Sequence, residues 1–183
     1  MTMPIPLETE RLVIRRFQDA DLDPFYSYRN DTDVAKYQNW SIPFPREEAK
    51  ERIKEMKSVA PGAPGVMCQL AVELQATCEM VGDVAFWLDK REPRRATIGC
   101  TLARAYWRQG LALEAVSRLL DYLFTEHNIH RVVADCDPDN TASFRLLERL
   151  GFRREGHFVE SFWLGDHWGD EYYYGILERE WKK

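Results

Sequence analysis

With 183 residues, of which 45% are hydrophobic and 13% aromatic, the chain is sized for one domain with its own core. A net charge of −5 excludes a general nucleic-acid binder, which needs a basic stripe, and leaves a mild preference for cationic ligands. No basic-apolar-small leader precedes Thr9 and no apolar run reaches membrane length, so a cytoplasmic protein without a membrane partner is expected.

Arg11 to Phe17 has the β-branched content and charged flanks of a strand. Asp19 reads as the cap of a helix running to about Arg29. Tyr37 to Pro45 is aromatic and proline-broken, which predicts an ordered loop, and Arg46 to Lys57 a helix burying Ala49, Ile53 and Met56. Ser58 to Gly65 carries two prolines and two glycines and reads as a loop. Val66, Cys68, Leu70, Val72 and Leu74 alternate with their neighbours as in a half-buried strand; Val81 to Leu88 and Ala96 to Leu102 follow as further strands. Leu111 to Phe124 has one apolar and one polar stripe and is the clearest helix. Arg131 to Cys136 is a strand, and a short helix then ends at Gly151. The aromatic remainder predicts two closing antiparallel strands. This order gives an α/β mixed sheet around a central βαβ unit in a single domain, 1–183.

Cys68, Cys78, Cys100 and Cys136 are widely spaced, with no Cys-x-x-Cys pair and no histidine at metal spacing. They read as small buried residues in a reducing compartment, and no metal is expected.

The segment Trp107-Arg108-Gln109-Gly110-Leu111-Ala112-Leu113-Glu114-Ala115 places a glycine and a small residue where a loop turns into the long helix. Unpaired N–H groups collect there at the positive end of the helix dipole, which suits a diphosphate. A second phrase, Asp137-Pro138-Asp139-Asn140-Thr141-Ala142-Ser143 running to Leu150-Gly151-Phe152, follows the next strand. Both phrases, in this order and spacing, resemble the GNAT superfamily of N-acetyltransferases, in particular its RimJ/RimL-type branch, which acetylates ribosomal-protein N-termini. The opening Leu7-Glu8-Thr9-Glu10-Arg11-Leu12 and the closing Leu177-Glu178-Arg179-Glu180-Trp181 are similar to that branch too.

The resemblance implies a splayed mixed sheet with acetyl-CoA wedged between the strands Ala96–Leu102 and Arg131–Cys136. The pantetheine arm bonds the exposed edge at Thr101 and Leu102, and the diphosphate rests on Arg108, Gln109, Gly110, Leu111 and Ala112. Asn140 is implied as a contact to the cofactor arm, and it doubles as a helix cap. The implied reaction is direct attack of a primary amine, from a peptide N-terminus or a small molecule, on the thioester. A family tyrosine that serves the leaving thiolate has no counterpart, because Leu147 stands there; Ser143 is the alternative, as acid or as hydrogen-bond donor. The family glutamate of the cofactor strand is replaced by Thr97, and the RimL-type carboxylate slot falls near Phe162. Asp83, Glu160 and Asp170 remain as candidate bases, beside water relay to bulk from an amine of low pKa. An acyl-cysteine at Cys100 has no activating histidine.

Tyr37, Trp40 and Phe44, with Phe25 and Tyr28, are expected to face Phe158, Phe162, Trp163 and Trp168 across an acceptor pocket able to hold a cation. Three alternatives stand beside this: another acyl-CoA donor, an antibiotic or polyamine acceptor, or a CoA-binding regulatory module without catalysis. The family also makes a homodimer an expectation.

Overall fold

The computed structural model describes residues 5–163 and 167–181. Its strands, in chain order, are β1 (Leu7–Glu8), β2 (Leu12–Arg15), β3 (Cys68–Leu74), β4 (Met80–Leu88), β5 (Arg95–Leu102), β6 (Arg131–Cys136), β7 (Arg153–Trp163) and β8 (Trp168–Leu177). Its helices are α1 (Leu22–Arg29), α2 (Thr32–Ala35), α3 (Arg46–Ser58), α4 (Leu111–Glu126), α5 (Thr141–Arg149) and α6 (Glu178–Trp181). The strands lie in one sheet ordered β1-β2-β3-β4-β5-β6-β8-β7. Neighbours are antiparallel except β5 and β6, which are parallel and joined through α4. This is the expected mixed sheet with a βαβ unit.

Two apolar clusters sandwich the sheet. On one face α4 buries Leu111, Ala115, Val116, Leu119, Leu120 and Leu123 against Leu12, Ile14, Leu70, Val84, Phe86, Ile98 and Val132. On the other, α1 and α3 bring Phe25, Tyr28, Ala49, Ile53 and Met56 onto Phe17, Phe44, Ala71 and Met80. The expected half-buried character of β3 is therefore corrected: Cys68 to Val72 are all buried, because helices cover both faces. Val66 and Met67 lie before the strand and are exposed.

Local chemistry sets the ends of the elements. Gln18, not Asp19, caps the first turn, exchanging hydrogen bonds with Asp21 in a capping box. Asp31 caps the short α2, which alternation had not signalled, by accepting from the Asp33 N–H at 2.9 Å. Gly151 ends α5 at φ +89°, with its own N–H on the Glu148 carbonyl and that of Phe152 on Leu147, a Schellman termination.

Candidate active site

The parallel pair β5–β6 holds register only through Arg95↔Arg131, Ala96↔Val132 and Thr97↔Val133. Beyond it β5 continues to Leu102 against β4, while β6 continues to Cys136 against β8. The two strands thus part, and from Ile98 onward the β6-facing edge of β5 has no strand partner. An unpaired edge of this kind is a template for an extended ligand. Gly99 lies in this stretch and is exposed, and a Cβ built on it meets nothing within 4 Å. Its partner across β4 is Ala85, while Asp83 pairs with Thr101. At the end of this edge the Leu102 side chain is core and its carbonyl accepts from Trp107 Nε1 at 2.8 Å.

Where β5 ends, Arg108 at φ +60° and Gly110 at φ +78° bend the chain into α4. Gly110 is the N-cap and supplies no side-chain acceptor, so the first-turn N–H groups of Leu111 and Ala112 keep no capping partner. Arg108, Gln109 and Gly110 are exposed, Leu111 turns its side chain into the core and Ala112 is half-buried. The charge of Glu114 in this first turn is tied down by Thr9 and Arg11.

Across the parting, Asn140 caps α5 by accepting the Ser143 N–H at 3.2 Å. Burial pushes the Cys136 thiol at the end of β6 up to about 11, with the Ser143 side chain pulling the other way. Ser143 therefore stands at the free end of β6. Lys36, over the Tyr37 ring at 4.7 Å, is raised first by the Tyr37 hydroxyl and further by Asp139 and Asp137.

The acceptor-wall expectation needs correction. Phe25, Tyr28 and Phe44 belong to the second core cluster and are at most 3% exposed. Trp40 is half-buried, and the cation on these rings is the chain's own Arg29: its guanidinium lies 3.8 Å from the Trp40 ring centre and 4.6 Å from that of Phe25. Trp40 Nε1 donates to the Arg29 carbonyl, which locks the stack. Proline-broken sequence marked an ordered segment here, but the ring periodicity served packing. The cluster contains none of Phe158, Phe162, Trp163 or Trp168; Phe162 lies on the edge strand β7, 39% exposed.

Asp83 is 3% exposed, not a solvated strand carboxylate. It accepts from the Tyr28 hydroxyl and from Gln69 Nε2 at 2.7 Å, with the Arg29 guanidinium 4.0 Å away. Burial first, and the Asp83 carboxylate second, hold the Tyr28 hydroxyl well above its ordinary range. Tyr28, Gln69 and Arg29 were missed as partners because they lie on two other elements, α1 and β3, brought to Asp83 only by the fold. Glu160 sits in a bulge of β7 at φ +48°, two strands from the parting, its N–H donating to Asp170. Asp170 also accepts His157 Nε2 at 2.7 Å on the same hairpin. The cysteine expectation holds for Cys68 and Cys136 but not for Cys78, which is exposed. Cys100 is pushed up to about 12 by burial, with Asp83 adding to it.

The model of the acetyltransferase (GNAT) domain matches residues 11–153. The chain belongs to the GNAT acetyltransferase family. It is 35% identical over 175 residues to the uncharacterised N-acetyltransferase YnaD of Bacillus subtilis, covering 96% of this chain and 98% of that protein. The crystal structure of a GNAT-family acetyltransferase from Bacillus anthracis superposes with a TM-score of 0.85 at 35% identity, over 96% of this chain and 100% of that one. Mycobacterium smegmatis RimJ, described in complex with CoA-disulfide, shares the fold with a TM-score of 0.80 at 22% identity, over 94% and 84%. This GNAT protein is thus an N-acetyltransferase, an enzyme that moves an acyl group to an amine. Among its described residues no helix is long and apolar enough to cross a membrane, and no cluster of three metal-ligating side chains occurs.

Proposed function

We propose that the single domain 1–183 transfers the acetyl group of acetyl-CoA to a primary amine, the donor lying in the parting of β5 and β6. The observation that carries this reading is the exposed, unfilled backbone of Gly99 beside an uncapped α4 terminus. The residues fit the donor: Gly110 and Ala112 project little side chain toward a diphosphate, and the edge at Thr101 suits an extended amide-bearing arm.

Acetyl-CoA supplies a thioester whose carbonyl is open to attack. The amine lone pair forms the C–N bond as the C–S bond breaks, the amine sheds its proton, and the sulfur takes one up. Backbone N–H of β5 near Gly99 to Thr101 stabilises the developing oxyanion. Ser143 donates a hydrogen bond to the leaving sulfur, from the first turn of α5. Asp83 is too buried, with both oxygens occupied, to collect the amine proton; its role is to brace the face that borders the cleft. Glu160 likewise takes no part, and water carries the proton to bulk. An acceptor α-amine, with an ordinary pKa of about 7.7–8.0 against about 10.4 for lysine, suits a site without a base. We therefore favour peptide or small-molecule α-amines, met at Tyr37 on the cytoplasmic side of the cell. A homodimer is part of this reading: Phe158, Val159, Phe162, Trp163 and Trp168 stand exposed on the β7–β8 hairpin at the edge of the sheet.

The test is thiol release from acetyl-CoA against peptide N-termini, polyamines and aminoglycosides, with mass spectrometry of the product. Acetylated amine supports the reading. CoA that raises Tm while no amine releases thiol would instead mark a module without catalysis.

A further inference from the structure

The diphosphate site proposed above is completed from the other end of the chain. Arg11, in the turn between β1 and β2, reaches α4 across 103 residues of sequence. Its Nε donates to Glu114 Oε2 at 2.7 Å, its NH2 lies 2.6 Å from the same oxygen, and its NH1 donates to the Gln109 carbonyl at 3.0 Å. Glu114 Oε1 in turn accepts the Arg11 backbone N–H at 2.9 Å and the Thr9 hydroxyl at 2.6 Å. The turn itself is fastened from behind, since Gln75 donates its N–H to the Arg11 carbonyl and its Nε2 to that of Thr9.

Two consequences follow from this geometry. A trans peptide points its C=O and N–H in opposite directions. Holding the Gln109 carbonyl toward Arg11 therefore turns the Gly110 N–H the other way, toward the space in front of α4. Positive φ at Arg108 and Gly110 makes that orientation attainable. Secondly, a guanidinium has five N–H donors and these contacts use three, while the group remains 46% exposed. It packs against the loop itself: a Cβ added to Gly110 would be 3.5 Å from Arg11 NH2.

We infer that Arg11 is a positioning residue of the diphosphate site, holding the Gln109 carbonyl so that the N–H groups of the loop 108–110 face the anion, with Glu114 and Thr9 fixing Arg11 in turn. The inference rests on the reading of that loop as the diphosphate site. It is tested by comparing two donors, acetyl-CoA and acetyl-pantetheine, which carries the same thioester without a diphosphate. Arg11→Gln should raise KM for acetyl-CoA about tenfold or more, the loss expected for a charge-assisted hydrogen bond, with kcat nearly constant. Its kinetics with acetyl-pantetheine should match the unaltered enzyme within twofold. Arg11→Lys, a point charge without the fork, should recover part of the preference. Glu114→Gln, which keeps the side-chain shape and frees Arg11, provides a second variant should Arg11→Gln fail to fold; the same donor-selective loss is expected. Equal losses with both donors, or an undiminished preference for acetyl-CoA, would overturn the assignment of Arg11. An unaltered enzyme that does not distinguish the two donors would instead overturn the diphosphate reading itself.

Discussion

Gly99→Val separates the cleft from the fold. Gly99 is exposed, its backbone lies outside the left-handed region, and no atom stands within 4 Å of an added Cβ. A β-branched residue suits a strand, so the folded state should change by no more than about 0.5 kcal/mol. In the cleft the two added methyls occupy the space where the donor has to lie. Displacing one backbone hydrogen bond costs about 0.5–1.5 kcal/mol and overfilling a packed site about 1–3 kcal/mol. Taken near the middle, about 2.7 kcal/mol is a 100-fold fall in kcat/KM for acetyl-CoA. The assay is thiol release at varied donor, with a thermal melt on the same sample. Gly82→Ala is the contrasting variant: its Cβ would lie 2.2 Å from the Thr101 carbonyl oxygen, so the melt should fall along with activity. A Gly99→Val protein with unaltered kcat/KM would refute the placement of the donor over this strand.

Asp83→Ala should destabilise the protein by about 3 kcal/mol, measured by urea unfolding, because it leaves Tyr28, Gln69 and the nearby Arg29 without their acceptor. Ser143→Ala should lower kcat with little change in the melt, and retained kcat would remove it from the leaving-group role. In acid, Glu114 and Glu155 should act as a paired sensor. Burial opposes ionisation of Glu114, but Thr9 and Arg11 outweigh it and hold its carboxyl below the ordinary range; Arg131, then Arg153, do the same for Glu155. Their folded values are depressed, so the stability they add is complete above the unfolded value near 4.5 and is lost as pH falls through the folded values. Melts between pH 6 and 3 should therefore fall more steeply for the unaltered enzyme than for Glu114→Gln. Iodoacetamide at pH 8 should label the exposed Cys78 first, with activity kept, since burial raises Cys68 and Cys136 to about 11 and Cys100 to about 12. Rapid labelling of Cys100 with loss of activity would revive an acyl-cysteine route.

Local pattern was enough for the longer helices and for the turns that open α4 and close α5. The α4 stripe, the Asn140 cap and the Gly151 stop are encoded within a few residues, where spacing and φ preference act directly. The same locality limited the reading of the acceptor side. An aromatic residue looks alike whether it lines a pocket or packs a core, and only the docking of α1 and α3 on β3 and β4 put Phe44 in the core and Trp40 under Arg29. Asp83 was legible as a carboxylate in a strand, but not as one closed off by Tyr28 and Gln69 from distant elements.

Local sequence, then, was enough for the longer strands and helices and the family they build. Tertiary structure alone decided where the β5–β6 register stops, the burial of Asp83 and the reach of Arg11 to Gln109 and Glu114. Periodicity and capping are short-range physics written into neighbouring residues. Burial and ion pairing depend on which surfaces meet, and no single segment carries that information.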